Sequence, residues 1–392
     1  MNVVVKNVRL IDCTGAKPTP STSVVIENGI IIWIGEETSR PNKHRRQENV
    51  EGKGLTMIPG MIDCHEHFIG DGGPDNMEHL LTDSPDVFTL KAAYNCKRAI
   101  MSGVTSARDV GSRYGINIQI AQATASGALL GPRIIAAGEW LQFPGCWPDA
   151  LTRRTENIDE LVDAIKEQIA NSAGLIKVGA TGMTPDGEQY ASMGAEVLMA
   201  AAITAHEAGL KITAHCIGYE GSRLAVEAGI DSIEHGTFLD DETVKLMVDK
   251  GTYLIPTLST WDWPLRVGPH QGMQDGERAQ IEKRKASSQE SFRKALKAGV
   301  KICAGTDAGG SGAMHGFLAR EIELMIESGM SIQDGLEAAT SRAAALAGID
   351  SIVGTIEVGK QADFALIDGD PLSDPSALRN IWSVFKGGTR IY

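Results

Sequence analysis

The chain has 392 residues, with 37 basic and 50 acidic side chains and a net charge of −13. Apolar residues make up 42% and charged residues 22%, ordinary globular usage that excludes a globally disordered chain. The acidic balance offers no net positive field to phosphate, which argues against nucleic acid and anionic membrane as partners.

The length suits one large α/β barrel with an appendage, or two to three ordinary domains. The opening segment, MNVVVKNVRLID, alternates like a strand and lacks the basic-then-apolar layout of a signal peptide. The longest apolar runs, such as Val197 to Ala205, fall far short of the about 20 residues of a membrane span. Cys13, Cys64, Cys96, Cys146, Cys216 and Cys303 form no close CxxC pair, so no disulfide framework is expected. A reducing, cytoplasmic location is the expectation.

Roughly the first 55 residues read as short strands, with STSVVIENGIIIWIGEE following the opening one. The last 40 or so look alike, in GTIEVGKQADFALIDG and SVFKGGTRIY. We expect both ends to fold together as one composite β-sandwich domain, residues 1–57 plus 352–392, around an inserted unit, 58–351. Inside the insert, strand-like runs occur at Thr56–Ile62, Val104–Val110, Arg133–Leu141, Leu175–Thr181, Lys211–Ile217, Ser232–His235, Tyr253–Ser259 and Lys301–Thr306. Amphipathic helical stretches separate most of them, among them IDELVDAIKEQIANS and LDDETVKLMVDKG, and several end in glycine. Strand–helix alternation implies parallel strands, because parallel neighbours need a crossover. Eight such units predict an α/β fold of the (β/α)8 TIM-barrel type.

The histidines fall on this rhythm. His65 and His67 follow the first run, His215 and His235 end the fifth and sixth, and Asp307 follows the eighth. Lys177 lies within the fourth. In a barrel all strand C-termini share one face, so these residues would converge. Residues two apart on a strand point to the same side, which lets both imidazoles of His65 and His67 reach one ion. Imidazole and carboxylate are ordinary ligands of zinc and similar divalent ions. An ammonium is out of place there; carbamylated by carbon dioxide, Lys177 would instead be a carboxylate able to bridge two metals. Alternation turns Cys64 and Cys216 away from that face, as small buried apolar residues. His315 either rims the pocket or starts a helix.

The blocks PGMIDCHEHF, IKV, TAHCIGYEGSRLAVEAGIDSIEHGTF and AGTDAGG occur in an order that resembles the amidohydrolase superfamily, in its binuclear, carboxylated-lysine branch. The chain is most similar to the prolidase-like dipeptidase, metallocarboxypeptidase and imidazolonepropionase-like group. The resemblance implies that His65, His67 and Asp307 bind one metal, that His215 and His235 bind the second, and that Lys177 bridges both. It implies amide hydrolysis by a metal-bridging hydroxide, with Asp307 as proton carrier and His235 and Tyr219 beside the developing oxyanion. Two departures bear on specificity. Where the peptidases carry a histidine after the third strand, this chain has Pro144-Gly145-Cys146-Trp147, and after Lys177 the usual Gly-Gly is Gly182-Met183.

The expected substrate is a small molecule with a peptide or N-acyl amino acid bond. Trp140, Trp147, Trp261 and Trp263 follow strands three and seven and favour an apolar or aromatic substrate surface. Tyr219, Trp147, Cys146 and Arg223 are the candidate substrate contacts, Arg223 because arginine pairs with carboxylates. Two divalent ions, zinc by ligand type, and carbon dioxide on Lys177 are the expected cofactors, in a homo-oligomer. Hydrolysis of a cyclic amide, hydrolysis of a phosphotriester and a non-catalytic role are the alternatives.

Overall fold

The computed structural model describes residues 2–40, 48–146, 151–184, 188–268, 273–310 and 313–392. Trp147 lies outside them. Strands from both chain ends share one eight-stranded sheet. Asn2–Leu10 pairs antiparallel with Thr19–Glu27 and parallel with Leu55–Pro59, which pairs in turn with Phe364–Asp368 near the other end. The alternation of the opening segment is explained by its inner face: Val3, Val5 and Val8 pack with Ile26, Met57, Phe364 and Phe385 in a separate core. Phe364 and Phe385 stack there with centroids 4.5 Å apart.

The first predicted run is broken at Gly60. Leu55–Pro59 belongs to the terminal sheet, and the expected division at 57/58 falls inside it, whereas Met61–Glu66 starts the parallel strands. A β-carbon at Gly60 would lie 2.0 Å from Thr105 Oγ1, so only glycine lets the chain pass from one sheet to the other here.

The parallel strands form two arcs. One holds Met61–Glu66, Val104–Asp109 and Arg133–Ala136; the other includes Leu175–Gly179, Lys211–Ile217, Ser232–Thr237 and Tyr253–Ile255. The eighth expected strand, Lys301–Thr306, does not form a regular ladder. Its backbone nevertheless bonds to both sides, with Cys303 N donating to Leu254 O at 3.0 Å and Cys64 N donating to Ala304 O at 2.9 Å. The predicted helices form at Ile158–Ala170, Ala195–Glu207, Asp241–Lys250 and Leu318–Glu327. Asn157 caps the first of these and Gly251 ends the third in the left-handed region. Among the described residues no helix is long and apolar enough to cross a membrane.

Candidate active site

Six side chains named from the sequence, His65, His67, Lys177, His215, His235 and Asp307, line one cavity of about 150 Å³. They come from positions 65 to 307, and none is more than 5% exposed. Strand ends place them, and local backbone bonds tune the placement. Asp307 N donates to His65 O at 2.8 Å. One residue earlier, the Thr306 hydroxyl donates to Asp63 at 2.7 Å. Gly310 passes so close that a β-carbon would lie 2.3 Å from Asp307 Oδ1 and 2.7 Å from the His67 ring.

His235 and Asp307 adopt φ of 68° and 58°, and Thr257, which holds His235, adopts 43°. Left-handed backbone at a β-branched or charged residue costs on the order of 1–3 kcal/mol and persists only where surrounding contacts enforce it. Here it turns the side chains at the strand ends into the cavity.

The imidazoles are oriented from behind. His65 Nδ1 donates to Glu234 Oε2 at 2.6 Å, and His67 Nδ1 donates to Gly111 O at 2.8 Å. His235 Nδ1 meets the Thr257 hydroxyl at 2.8 Å. Glu234 is itself held by the buried guanidinium of Arg108 and the Thr213 hydroxyl. Burial alone would push the Glu234 carboxyl up; Arg108 and His65 outweigh it and hold the group well below the usual carboxylate range.

With both Nδ1 atoms committed as donors, the Nε2 atoms of His65 and His67 are acceptors in the neutral rings, the form that a metal ion binds. They lie 3.3 Å apart, and Asp307 Oδ1 lies 3.3 Å and 3.4 Å from them. Three mutually close acceptors repel unless a positive charge sits among them, which is the electrostatic demand a divalent ion meets. The His65 imidazolium registers the same demand: burial and Lys177 push its pKa down, but Glu234 and Asp307 raise it overall. His65, His235 and Asp307 offer ligand atoms within 4.8 Å of one another. The donor set therefore fits metal. Burial, Asp307 notwithstanding, takes His235 down to about 3, and burial with the neighbouring His235 and Lys177 takes His215 well below its ordinary value, so both are neutral imidazoles able to bind a cation.

Lys177 is buried, with Nζ 5.1 Å from the centre of the Trp140 ring. Burial lowers its ammonium despite the pull of Glu234 and Asp307.

The other named residues fall elsewhere. Tyr219 is exposed and lines an adjoining cleft that shares Ile217 with the histidine-lined cavity. Cys146 is buried, its thiol donating to Thr181 O at 2.8 Å, and burial raises it to about 11. Arg223 pairs with Glu227 one helical turn away at 3.2 Å. Trp140 and Trp261 line the cavity, whereas Trp263 packs against Phe317. Cys64 and Cys216 are buried in apolar clusters. His315 lies behind the site, bridging Glu66 at 2.5 Å and Gly70 O at 2.9 Å. Sequence reasoning missed Glu234, Arg108, Thr257 and Thr260, whose hydroxyl donates to Asp307 Oδ2 at 3.1 Å. Of these, only Glu234, beside His235, carried any signal.

The model of the amidohydrolase family matches residues 56–391. The chain belongs to the amidohydrolase family. Among amidohydrolases it is 27% identical to the ochratoxinase of Aspergillus niger, over 95% of this chain and 84% of that one. It is 26% identical to the imidazolonepropionase of Sphingopyxis alaskensis, over 89% and 87%. A solved Xaa-Pro dipeptidase with methionine in its active site superposes with a TM-score of 0.90 at 28% identity, covering 100% of this chain and 99% of that one. These relatives support a hydrolase acting on carbon–nitrogen bonds.

Proposed function

We propose that the protein hydrolyses the amide bond of a peptide or N-acyl amino acid with an apolar or aromatic side chain, using two divalent cations. The observation that carries this is the cluster of three acceptors, His65 Nε2, His67 Nε2 and Asp307 Oδ1, within 3.4 Å of one another. His65, His67 and Asp307 would hold one ion and His215 and His235 the second, with Lys177, as its carbamate, shared between them. Zinc fits the ligand types. When bound, such a pair supplies an activated water and polarises the scissile carbonyl.

The chain's own residues do the rest. Asp307 takes the proton from the attacking water as its oxygen bonds to the carbonyl carbon. The C–N bond then breaks, and Asp307 returns that proton to the leaving nitrogen. Thr260 holds the other oxygen of this carboxylate, which keeps it aimed. His235, held by Thr257 through Nδ1, keeps its other nitrogen for the second ion. Trp140, Leu151, Ile217, Trp261 and Ile281 supply an apolar wall for the substrate side chain and exclude bulk water. The Xaa-Pro dipeptidase relative supports this substrate class. The reading takes the two arcs as one (β/α)8 barrel, 58–351, joined to a composite β-sandwich of 1–57 and 352–392, in a cytoplasmic homo-oligomer.

The test is a screen of zinc-loaded protein against dipeptides and N-acyl amino acids, with cyclic amides and a phosphotriester as further arms. Turnover of N-acyl aromatic amino acids is expected. Turnover confined to the cyclic amides would move the reaction to ring opening, and turnover of the phosphotriester alone would overturn the amide reading.

A further inference from the structure

The wall of the histidine-lined cavity contains a cation with no counter-charge among the described residues. Arg284, on the helix Asp275–Ala298, lines the same cavity as the six ligand candidates. It forms no ion pair with any described residue. Its polar contacts are the Met183 sulfur, 3.1 Å from Nη2, and the face of Trp261, 5.4 Å from the guanidinium carbon. Burial alone lowers its pKa, with no carboxylate acting on it.

The neighbouring positions explain how this arises. Trp261 and Asp262 are consecutive on the helix Ser259–Val267, and Arg284 and Lys285 are consecutive opposite them. Lys285 Nζ donates to Asp262 Oδ1 at 2.6 Å, and Arg266 and Arg320 occupy Asp262 Oδ2. Asp262 is therefore saturated by three cations. The Lys285 bond pins the helix, and the preceding residue, Arg284, lies across the indole with no acid in reach among the described residues.

A second donor lies in the same wall. Trp261 is 8% exposed, and its indole N–H is buried without an acceptor among the described residues. Trp261 also follows Thr260, which bonds Asp307.

We infer that Arg284 and Trp261 form a carboxylate-binding subsite that takes the free α-carboxylate of the substrate's amino acid, so that the enzyme requires a C-terminal acid beside the bond it cuts. Guanidinium matches a carboxylate with two parallel donors, and the Trp261 ring holds it against the cavity wall. The inference rests on the proposed amide hydrolysis and names the substrate end that the wall reads. Arg223, paired with Glu227, has no such vacancy to offer.

Two measurements test it together. The first is kcat/KM of the zinc-loaded protein for N-acetyl-L-phenylalanine and for its C-terminal amide. In wild type the acid is expected to be favoured by roughly 10- to 100-fold, the worth of charge-assisted hydrogen bonds. Arg284→Met should collapse that ratio towards one, mainly through KM, and Arg284→Lys should restore part of it. The second is calorimetric binding of 3-phenylpropionate and 3-phenylpropanol, neither of which can be hydrolysed. The acid should bind wild type roughly 10-fold or more tightly than the alcohol, and Arg284→Met should abolish the preference. An acid preference unchanged in Arg284→Met but lost on removing metal would place the carboxylate on the cations and overturn the subsite. Absence of turnover on either amide would overturn the hydrolase reading alone, because the calorimetry decides the subsite without it.

Discussion

On the floor of the cavity, His65, His67 and His235 each give Nδ1 to a fixed partner, and Glu234 behind His65 is itself held by Arg108 and Thr213. On the wall, among the described residues, Arg284 has no acid and the Trp261 N–H no acceptor. The difference follows from what each surface waits for. A metal site needs its imidazoles locked in one tautomer and aimed before the ion arrives, and on the proposed reading that is what the partners behind His65, His67 and His235 provide. A subsite for a transient ligand keeps its donors open, because the ligand supplies the acceptors and then leaves with them.

This contrast can be broken from the floor first. On the proposed reading, His65→Ala or Asp307→Asn removes a ligand and, at Asp307, the proton carrier, and should lower kcat/KM by at least about 1,000-fold. Circular dichroism should still report a folded protein. Retention of more than a tenth of wild-type turnover in Asp307→Asn would remove it from that role. Glu234→Gln leaves every ligand in place but weakens what aims His65, and metal affinity by competitive chelation should fall about 10- to 100-fold.

The composite sheet gives the opposite signature. Phe364→Ala removes a ring stacked on Phe385 in a core that contains no ligand. It should cost about 3–5 kcal/mol in chemical denaturation, with metal content and turnover per folded molecule unchanged. A loss of turnover without a loss of stability would tie that sheet to the site.

The smallest effect is a pH dependence. Burial would raise the Asp262 carboxyl, but Lys285, Arg266 and Arg320 together hold it at about 2. A folded-state pKa below the unfolded one stabilises above about pH 4 and ceases to as pH falls towards 2. Asp262→Asn should therefore flatten the loss of melting temperature across that window. An identical pH profile in the variant would show that these cations do not act through Asp262.

The same contrast explains what was legible in the sequence. The six floor residues stood out because each sits at or near a strand end, where a histidine, lysine or aspartate interrupts an apolar run. Arg284 stood in a helix crowded with charge, among Arg278, Lys283 and Lys285. Nothing local separates it from them; only the ring of Trp261, 23 positions earlier, does so. Likewise the apolar pattern of Thr56–Ile62 read as one strand because Gly60 signals its crossing only through the distant Thr105 side chain. Lys301–Thr306 read as a strand, and its backbone bonds to both neighbours bear out its position. Gly305, which packs against His65, and the left-handed turn at Asp307 break the pleat that a regular ladder needs.

The most direct test is the zinc content of reconstituted wild type and Lys177→Ala, measured by elemental analysis alongside turnover of an N-acyl amino acid. Two equivalents per chain in wild type, one or fewer in the variant, and activity that tracks occupancy are expected. Full turnover in metal-free wild type, or two equivalents retained without Lys177, would contradict the account.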